Sequence, residues 1–151
     1  MKFLVLVLAM FVVTANAATL KNKQFVDVSS NEVQVVKAVY DFSKDTGAVA
    51  SYEAIEATGD VIIDSISIEA IDALTSAGGT VVVDLGYTGQ TTAFLANTAT
   101  TALEAGDLAV PANTFVPVKL AKGSKVLMEI KTQAATAGKF VITAVMRKFG
   151  L

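Results

Sequence analysis

The chain has 151 residues, 53% hydrophobic and 17% charged, which supplies enough apolar surface for one folded domain and excludes a disordered chain. It contains no cysteine and no histidine, so thiolate nucleophiles, imidazole bases, Ser-His-Asp triads and ordinary zinc sites are excluded. The net charge is −2 and the basic residues are scattered, so the sequence lacks the electropositive patch that nucleic acid binding requires.

The first 17 residues have the layout of a secretory signal peptide. Lys2 supplies a positive charge, residues 3–13 form an unbroken apolar run, and Ala15 and Ala17 form a small-x-small cleavage motif. The apolar run is shorter than the roughly 20 residues of a bilayer-spanning helix, so no stable membrane span is expected. We therefore predict cleavage after Ala17 and export. The alternative is an uncleaved segment that packs into a neighbouring subunit.

Residues 18–31 are polar and lack sustained periodicity, so they predict an N-terminal arm ahead of a single domain that spans residues 32–151. Valine-rich residues 32–40 predict the first strand of that domain. Its expected inward side chains are Val33, Val35 and Val39, opposite Gln34 and Ala38. Turn formers in residues 41–47 end this strand, and a second extended segment is expected over residues 48–57.

The central part of the chain alternates with a period of two residues, as strands do. After a turn at residues 58–60, one face holds Ile62, Ile66 and Ile68 and the other holds Ser65, Ser67 and Glu69. Gly78 and Gly79 then predict a hairpin turn. The next strand is expected to place Val81, Val83, Leu85 and Tyr87 inward and Val82, Asp84 and Gly86 outward. Residues 61–87 are therefore predicted to form one antiparallel pair.

The remaining chain contains one irregular segment and several short strands. Alanine- and threonine-rich residues 91–105 predict a short helical turn or an irregular crossover. Extended segments are expected at residues 107–110, 114–120, 125–132 and 139–148. The inward residues of the last two are Val126, Met128, Ile130, Phe140, Ile142, Ala144 and Met146.

The last strand is apolar on both faces, because Val141 and Val145 alternate with its inward residues. This pattern indicates a central strand, or an outer face that another subunit covers. Many short strands without a long amphipathic helix between them predict an all-β fold. The preferred architecture is an antiparallel β-sandwich of the jelly-roll type.

Residues with potential chemistry are better explained as parts of turns and strand faces. Acid pairs for glycoside hydrolysis could come from Glu53, Glu56, Asp64, Glu69, Asp84 and Glu129, but several of these lie opposite apolar strand residues. The turn residues Asp41, Asp45 and Asp60 lack the spacing of a calcium loop, and residues 86–92 lack the lysine of a P-loop. The neighbours Ser43-Lys44 and Ser124-Lys125 do not form Ser-Lys dyads. We predict no catalytic, cofactor-binding or metal-binding residues.

Between residues 39 and 148 the chain resembles small structural proteins of tailed-phage virions, of the head-decoration or head-fibre kind. The resemblance lies in VYDFSKDTGAV at residues 39–49, SAGGTVVVDLGYTGQTTAFLANTA at residues 76–99, and VKLAKGSKVLMEIKTQAATAGKFVITAVM at residues 118–146. It implies a β-rich, oligomeric virion component without an active site. The N-terminal segment departs from this family, since such proteins assemble inside the cell.

The leading hypothesis is a non-enzymatic structural subunit that self-assembles, as a trimer or larger, and binds a capsid or another structural protein but no nucleic acid. It is exported after cleavage or, alternatively, lies on the virion surface with its N-terminus intact. A second hypothesis is an exported carbohydrate- or surface-binding module, whose aromatic residues would be Tyr40, Tyr52 and Tyr87. A carboxylate-dependent hydrolase is the third.

Overall fold

The computed structural model describes residues 17–26, 32–99, 103–111 and 115–149. Strands dominate this part of the chain, with one short helix after the second strand. The elements are β1 (Ala18–Val26), β2 (Gln34–Asp41), α1 (Phe42–Asp45), β3 (Ala50–Ala57), β4 (Val61–Ser76), β5 (Val82–Tyr87), β6 (Gln90–Ala99), β7 (Leu108–Ala109), β8 (Val118–Leu120), β9 (Lys125–Lys131) and β10 (Ala135–Lys148). The all-β prediction is confirmed.

The strands form one curled sheet in the order β6-β5-β9-β3-β1-β2-β10-β4-β7, with β8 also paired to β4. We call β6, β5, β9, β3 and β1 the first half-sheet, and β2, β10, β4, β7 and β8 the second. Every pairing is antiparallel except that of β1 with β3, which is parallel, so the sheet is mixed rather than purely antiparallel. Curling lets the two halves enclose a common core, as in a jelly-roll-like sandwich.

Apolar side chains from both half-sheets form one buried cluster. At its centre the ring of Tyr40 in β2 stacks on Phe140 of β10 at 5.7 Å and meets Tyr52 of β3 edge-on at 5.6 Å. The contact between Tyr40 and Tyr52 joins the two half-sheets, because β2 and β3 lie on either side of β1. The predicted inward residues of β9 and β10 are all buried as predicted, but Leu127, predicted outward in β9, is also buried, with 8% exposure.

Two predicted strands are present but face the core differently from the prediction. In β2 the buried residues are Val36, Ala38 and Tyr40, whereas Val33 and Val35 are 61% and 62% exposed. The error arises because valine occupies both parities of this strand, so alternation did not identify the inner face. In β4 the register skips Asp64 between Ile63 and Ser65, and this bulge turns Ile62 outward although Ile66 and Ile68 are buried as predicted.

The predicted antiparallel pairing within residues 61–87 is wrong. Strand β4 pairs with β10, and β5 pairs with β6 and β9, so the connection at residues 77–81 crosses between the half-sheets. The sequence gives no local signal for these distant partners. The segment expected to be irregular at residues 91–105 contains β6, because the edge position accepts its alanine, threonine and asparagine residues.

The predicted N-terminal arm is likewise a strand over Ala18–Val26, in the middle of the sheet. Within β1 only Leu20 and Val26 are buried, so the sequence shows no sustained alternation, and the register of β1 against β3 shifts between Thr19 and Gln24. Residues 27–31 of that arm lie outside the described residues. The signal-peptide prediction does as well, apart from Ala17.

Candidate interaction surface

The outer face of the first half-sheet is covered by ion pairs, and we call it the charged face. Its members are Lys23, Glu53, Glu56, Asp84, Lys125, Glu129 and Lys131. The ammonium of Lys23 lies 2.7 Å from Glu53 and 2.6 Å from Glu56, and Lys125 contacts the other carboxylate oxygen of Glu53. Strands β1, β3 and β9 carry these residues side by side, so opposite charges alternate across neighbouring strands.

Asp84 is the most buried charged residue among those described, with 0% exposure. The prediction that it points to solvent is wrong, because β6 and the side chain of Lys131 cover it. The backbone N–H of Asn97 donates to Asp84 Oδ1 at 2.6 Å, and the Lys131 ammonium contacts Oδ2. The same ammonium lies 3.7 Å from Oε2 of Glu129, so Lys131 forms ion pairs with two carboxylates. Loss of Lys131 would therefore leave both acids poorly compensated.

The ion pairs shift pKa values on this face. Burial acts to raise the pKa of Glu53, but hydrogen bonds from Lys125 and Lys23 outweigh it, and the pKa lies below its ordinary value of 4.5. Hydrogen bonding to Asp84 raises the pKa of Lys131 above its ordinary value. Both groups are therefore held in their charged forms, which suits a structural ion-pair network rather than an acid-base catalyst.

Four of the remaining candidate acids bind the backbone or an exposed cation, whereas Glu69 is exposed and has no ion pair with a described residue. Asp41 accepts a hydrogen bond from the N–H of Ser43 at 3.0 Å, Asp45 accepts one from Lys21 N at 2.6 Å, and Asp60 accepts one from Lys122 N at 3.0 Å. Asp64 pairs with Nε of Arg147 at 3.0 Å. No group of three acidic residues that could hold a metal ion occurs in the described part of the chain.

Within the glycine-rich residues 86–92, Thr88 and Gly89 form the predicted turn between β5 and β6. Gly89 has a φ of 92°, and the hydroxyl of Tyr87 donates to Oε1 of Gln90 at 2.8 Å. Gly86 is required by packing, since a Cβ there would overlap the backbone of Gln90 and Thr91. These residues position the edge strand rather than cradle a ligand.

Two of the three tyrosines proposed as a binding platform are core residues, so that proposal is wrong for them. Tyr40 and Tyr52 are 0% and 1% exposed. The hydroxyl of Tyr40 donates to the carbonyl of Thr46 at 2.8 Å, and that of Tyr52 donates to the carbonyl of Ala48 at 2.9 Å. Burial raises the pKa of Tyr40 far above its ordinary value. Only Tyr87 remains half-buried near the surface.

The outer face of the second half-sheet carries four valines among polar side chains, and we call it the valine face. It is formed by the outward residues of β2, β10 and β4, namely Val35, Lys37, Val39, Val141, Thr143, Val145, Ser65, Ser67 and Glu69. Leu108 and Val110, beside β4, extend it and are 60% and 55% exposed. Exposed apolar side chains such as Val35, Leu108 and Val110, grouped with half-buried valines, mark interaction surfaces.

A cleft of about 350 Å³ opens at the border of the valine face, lined by residues that include Ser67, Val110, Pro111, Phe115 and Val145. Its lining is mostly apolar and contains no charged side chain. The sequence partly indicated this surface, because both faces of β10 are apolar. Val35 was predicted to face inward together with Val33 and Val39, so the sequence did not identify it as part of this surface.

Neither a protein-family model nor a curated protein matches the sequence. Three solved structures contain a chain of similar fold. The chain in the acidic stable capsid structure of Helicobacter pylori bacteriophage KHP30 is 16% identical, with a TM-score of 0.57 over 76% of this chain and 86% of that chain. A chain of the capsid of Ralstonia phage GP4 is 15% identical, with a TM-score of 0.56 over 83% and 90%.

The third structure is the cyanophage Pam1 capsid asymmetric unit, with 12% identity and a TM-score of 0.53 over 77% of this chain and 84% of that chain. At such identities the likeness shows a shared fold. In the described residues, no helix is both long and apolar enough to cross a membrane.

Proposed function

We propose that the chain is a non-enzymatic structural subunit of a phage virion, which assembles with copies of itself and binds a capsid as a decoration or fibre protein. The observation that carries this proposal is the fold shared with chains of three phage capsid structures over at least 76% of this sequence. The resemblance of residues 39–148 to small virion proteins supports it independently.

The two outer faces support a structural role. On the charged face, every acid is matched by a lysine of the same molecule, so these side chains stabilise the subunit. The valine face instead exposes apolar side chains to water, which a neighbouring molecule would cover. Catalysis would need an acid or a nucleophile free to act on a substrate, and the described carboxylates of the charged face are held by cations.

Self-assembly is tested by measuring the mass of the full-length protein in solution. Multi-angle light scattering at micromolar concentrations is expected to give a multiple of the 15.7 kDa chain mass. A mass of one chain at every concentration would contradict the proposal.

Binding to the capsid is tested by adding the purified protein to phage particles that lack it and sedimenting the particles, where co-sedimentation is expected.

The location of the protein is tested by its intact mass when it is purified from its native source. A full-length mass supports assembly on the virion with the N-terminal segment retained. A mass that begins at Ala18 supports the predicted signal peptide and export, and would count against assembly inside the cell. The two outcomes differ by the mass of residues 1–17, which mass spectrometry resolves.

A further inference from the structure

The valine face has an ordered arrangement along three neighbouring strands. Strand β10 runs through its middle, with β2 on one side and β4 on the other. Across the three strands, in the order β2, β10, β4, the face has the rows Val35–Val145–Ser65, Lys37–Thr143–Ser67 and Val39–Val141–Glu69. The middle strand is therefore uncharged within these rows, and the two flanks carry one charge each, of opposite sign.

Neither flanking charge has an ion-pair partner in the part of the chain that the structure describes. Lys37 and Glu69 are exposed, and neither forms an ion pair with any residue that the structure describes. The two residues lie on strands that β10 separates, so they do not face each other across one strand pair. This differs from the charged face, where lysines and acids on adjacent strands are in contact.

From this arrangement we infer that the valine face is a two-fold contact between two copies of the chain, with the axis running along β10. The inference rests on the proposed self-assembly. A rotation by 180° about this axis places β2 of one copy over β4 of the other, so Lys37 of each copy faces the strand that carries Glu69. The two-fold axis therefore creates two equivalent Lys37–Glu69 pairs between the copies.

The distances in such a contact are compatible with ion pairing. Lys37 and Glu69 occupy neighbouring rows, two residues apart along the strands, which is an offset of about 7 Å. Facing sheets lie about 10 Å apart and within about 30° of alignment, so the long lysine side chain can span the offset. Val35, Val141 and Val145 would pack between the two charged edges and lose their exposure to water.

A second copy fits this face better than an unrelated partner does, because the pattern is complementary to itself. A partner of different sequence would require its own acid opposite Lys37 and its own base opposite Glu69. A copy of this chain supplies both without any further residue. An isologous contact of this kind can act alone or join larger rings into an assembly.

The test exchanges the two charges. We expect Lys37→Glu alone, and Glu69→Lys alone, to weaken self-association of the full chain about tenfold, since each places like charges together at two symmetric positions. The double variant, which carries both substitutions, restores opposite charges and is expected to return to within about threefold of the original association constant. Sedimentation equilibrium measures all four proteins, and Lys122→Glu, an exposed charge reversal outside the face, is the matched control.

The outcomes separate this inference from the proposed function. If the original chain self-associates but neither single variant weakens it, the two-fold contact is wrong and self-assembly stands. If the single variants dissociate and the double variant does not recover, the face is an interface but the two-fold arrangement is wrong. If the original chain is a monomer at every concentration, both proposals fail. Circular dichroism and a thermal unfolding curve establish that each variant is folded.

Discussion

The two outer faces of the sheet use charge in opposite ways. On the charged face, Lys23 and Lys125 converge on Glu53, and Lys131 serves Asp84 and Glu129, so the charges are compensated inside one subunit. On the valine face, Lys37 and Glu69 lie on opposite sides of β10, with the uncharged Val141 and Thr143 between them. The ion pairs of the charged face stabilise one subunit, whereas we propose that a second copy covers the valine face.

The largest expected effect comes from placing a charge in the apolar part of the valine face. Val35→Asp is expected to weaken self-association about 100-fold, because the contact would bury an uncompensated carboxylate. The free energy of unfolding of the isolated subunit should change by less than about 0.5 kcal/mol, since Val35 is 62% exposed. Sedimentation equilibrium and urea unfolding measure the two quantities.

The matched control is Val49→Asp, because Val49 is 56% exposed but lies outside the valine face. It should change neither self-association nor unfolding. Equal weakening by both variants would mean that added negative charge, and not this face, controls assembly. That result would remove the distinction between the two outer faces.

The opposite pattern is expected for the buried acid of the charged face. Asp84→Ala should lower the free energy of unfolding by about 1–3 kcal/mol, because it leaves the N–H of Asn97 and the ammonium of Lys131 without their buried partner. Self-association should persist wherever the subunit is folded. Asp72→Ala, at an exposed acid of β4, serves as the control and should change stability by less than about 0.5 kcal/mol.

The charged face also predicts how stability depends on pH. The folded-state pKa of Glu53 lies below its ordinary value of 4.5, so its ionised form stabilises the folded state. This contribution is complete above the ordinary pKa and is lost as the pH falls through the folded pKa. Urea unfolding between about pH 6 and pH 2 should therefore show a smaller loss of stability in Glu53→Gln than in the original chain. Identical pH profiles for the two proteins would refute this role of Glu53.

The smallest effect is expected at the exposed ion pair of Arg147 and Asp64. Their side chains are 46% and 29% exposed, so solvent screens the attraction although the atoms are 3.0 Å apart. Arg147→Gln should lower the free energy of unfolding by less than about 0.5 kcal/mol. An effect as large as that of Asp84→Ala would show that exposure does not explain the difference between these ion pairs. Thermal unfolding of Arg147→Gln and of the original chain at low and high salt measures the contribution of this ion pair to stability.

Much of the fold could be predicted because the central strands have clear alternation. In β9 and β10, residues such as Met128 and Ile142 alternate with outward side chains, and the structure buries the predicted set. In β2, Val35 and Val36 are adjacent, so the valine pattern is compatible with either face, and the buried face is the one that holds Val36. In β4, the bulge at Asp64 changed the parity within one strand, which a fixed period of two cannot represent.

The surfaces were harder to predict, because they depend on which strands are neighbours. Lys37 and Glu69 flank the same strand only because β10 pairs with both β2 and β4, which are distant from it in sequence. The alternation in β5 predicts that Asp84 faces outward into solvent. In the structure, β6 and the side chain of Lys131 cover it. Local periodicity identifies strands and their faces, whereas long-range pairing determines which side chains share a surface.

Sedimentation equilibrium of the full-length chain and of its Val35→Asp variant tests whether the subunits associate through the valine face. The original chain is expected to form a multiple of the 15.7 kDa mass, and the variant is expected to be a folded single chain at the same concentration. A monomeric original chain would contradict self-assembly. An original chain and variant with the same multimeric mass would show that the subunits associate through a surface other than the valine face.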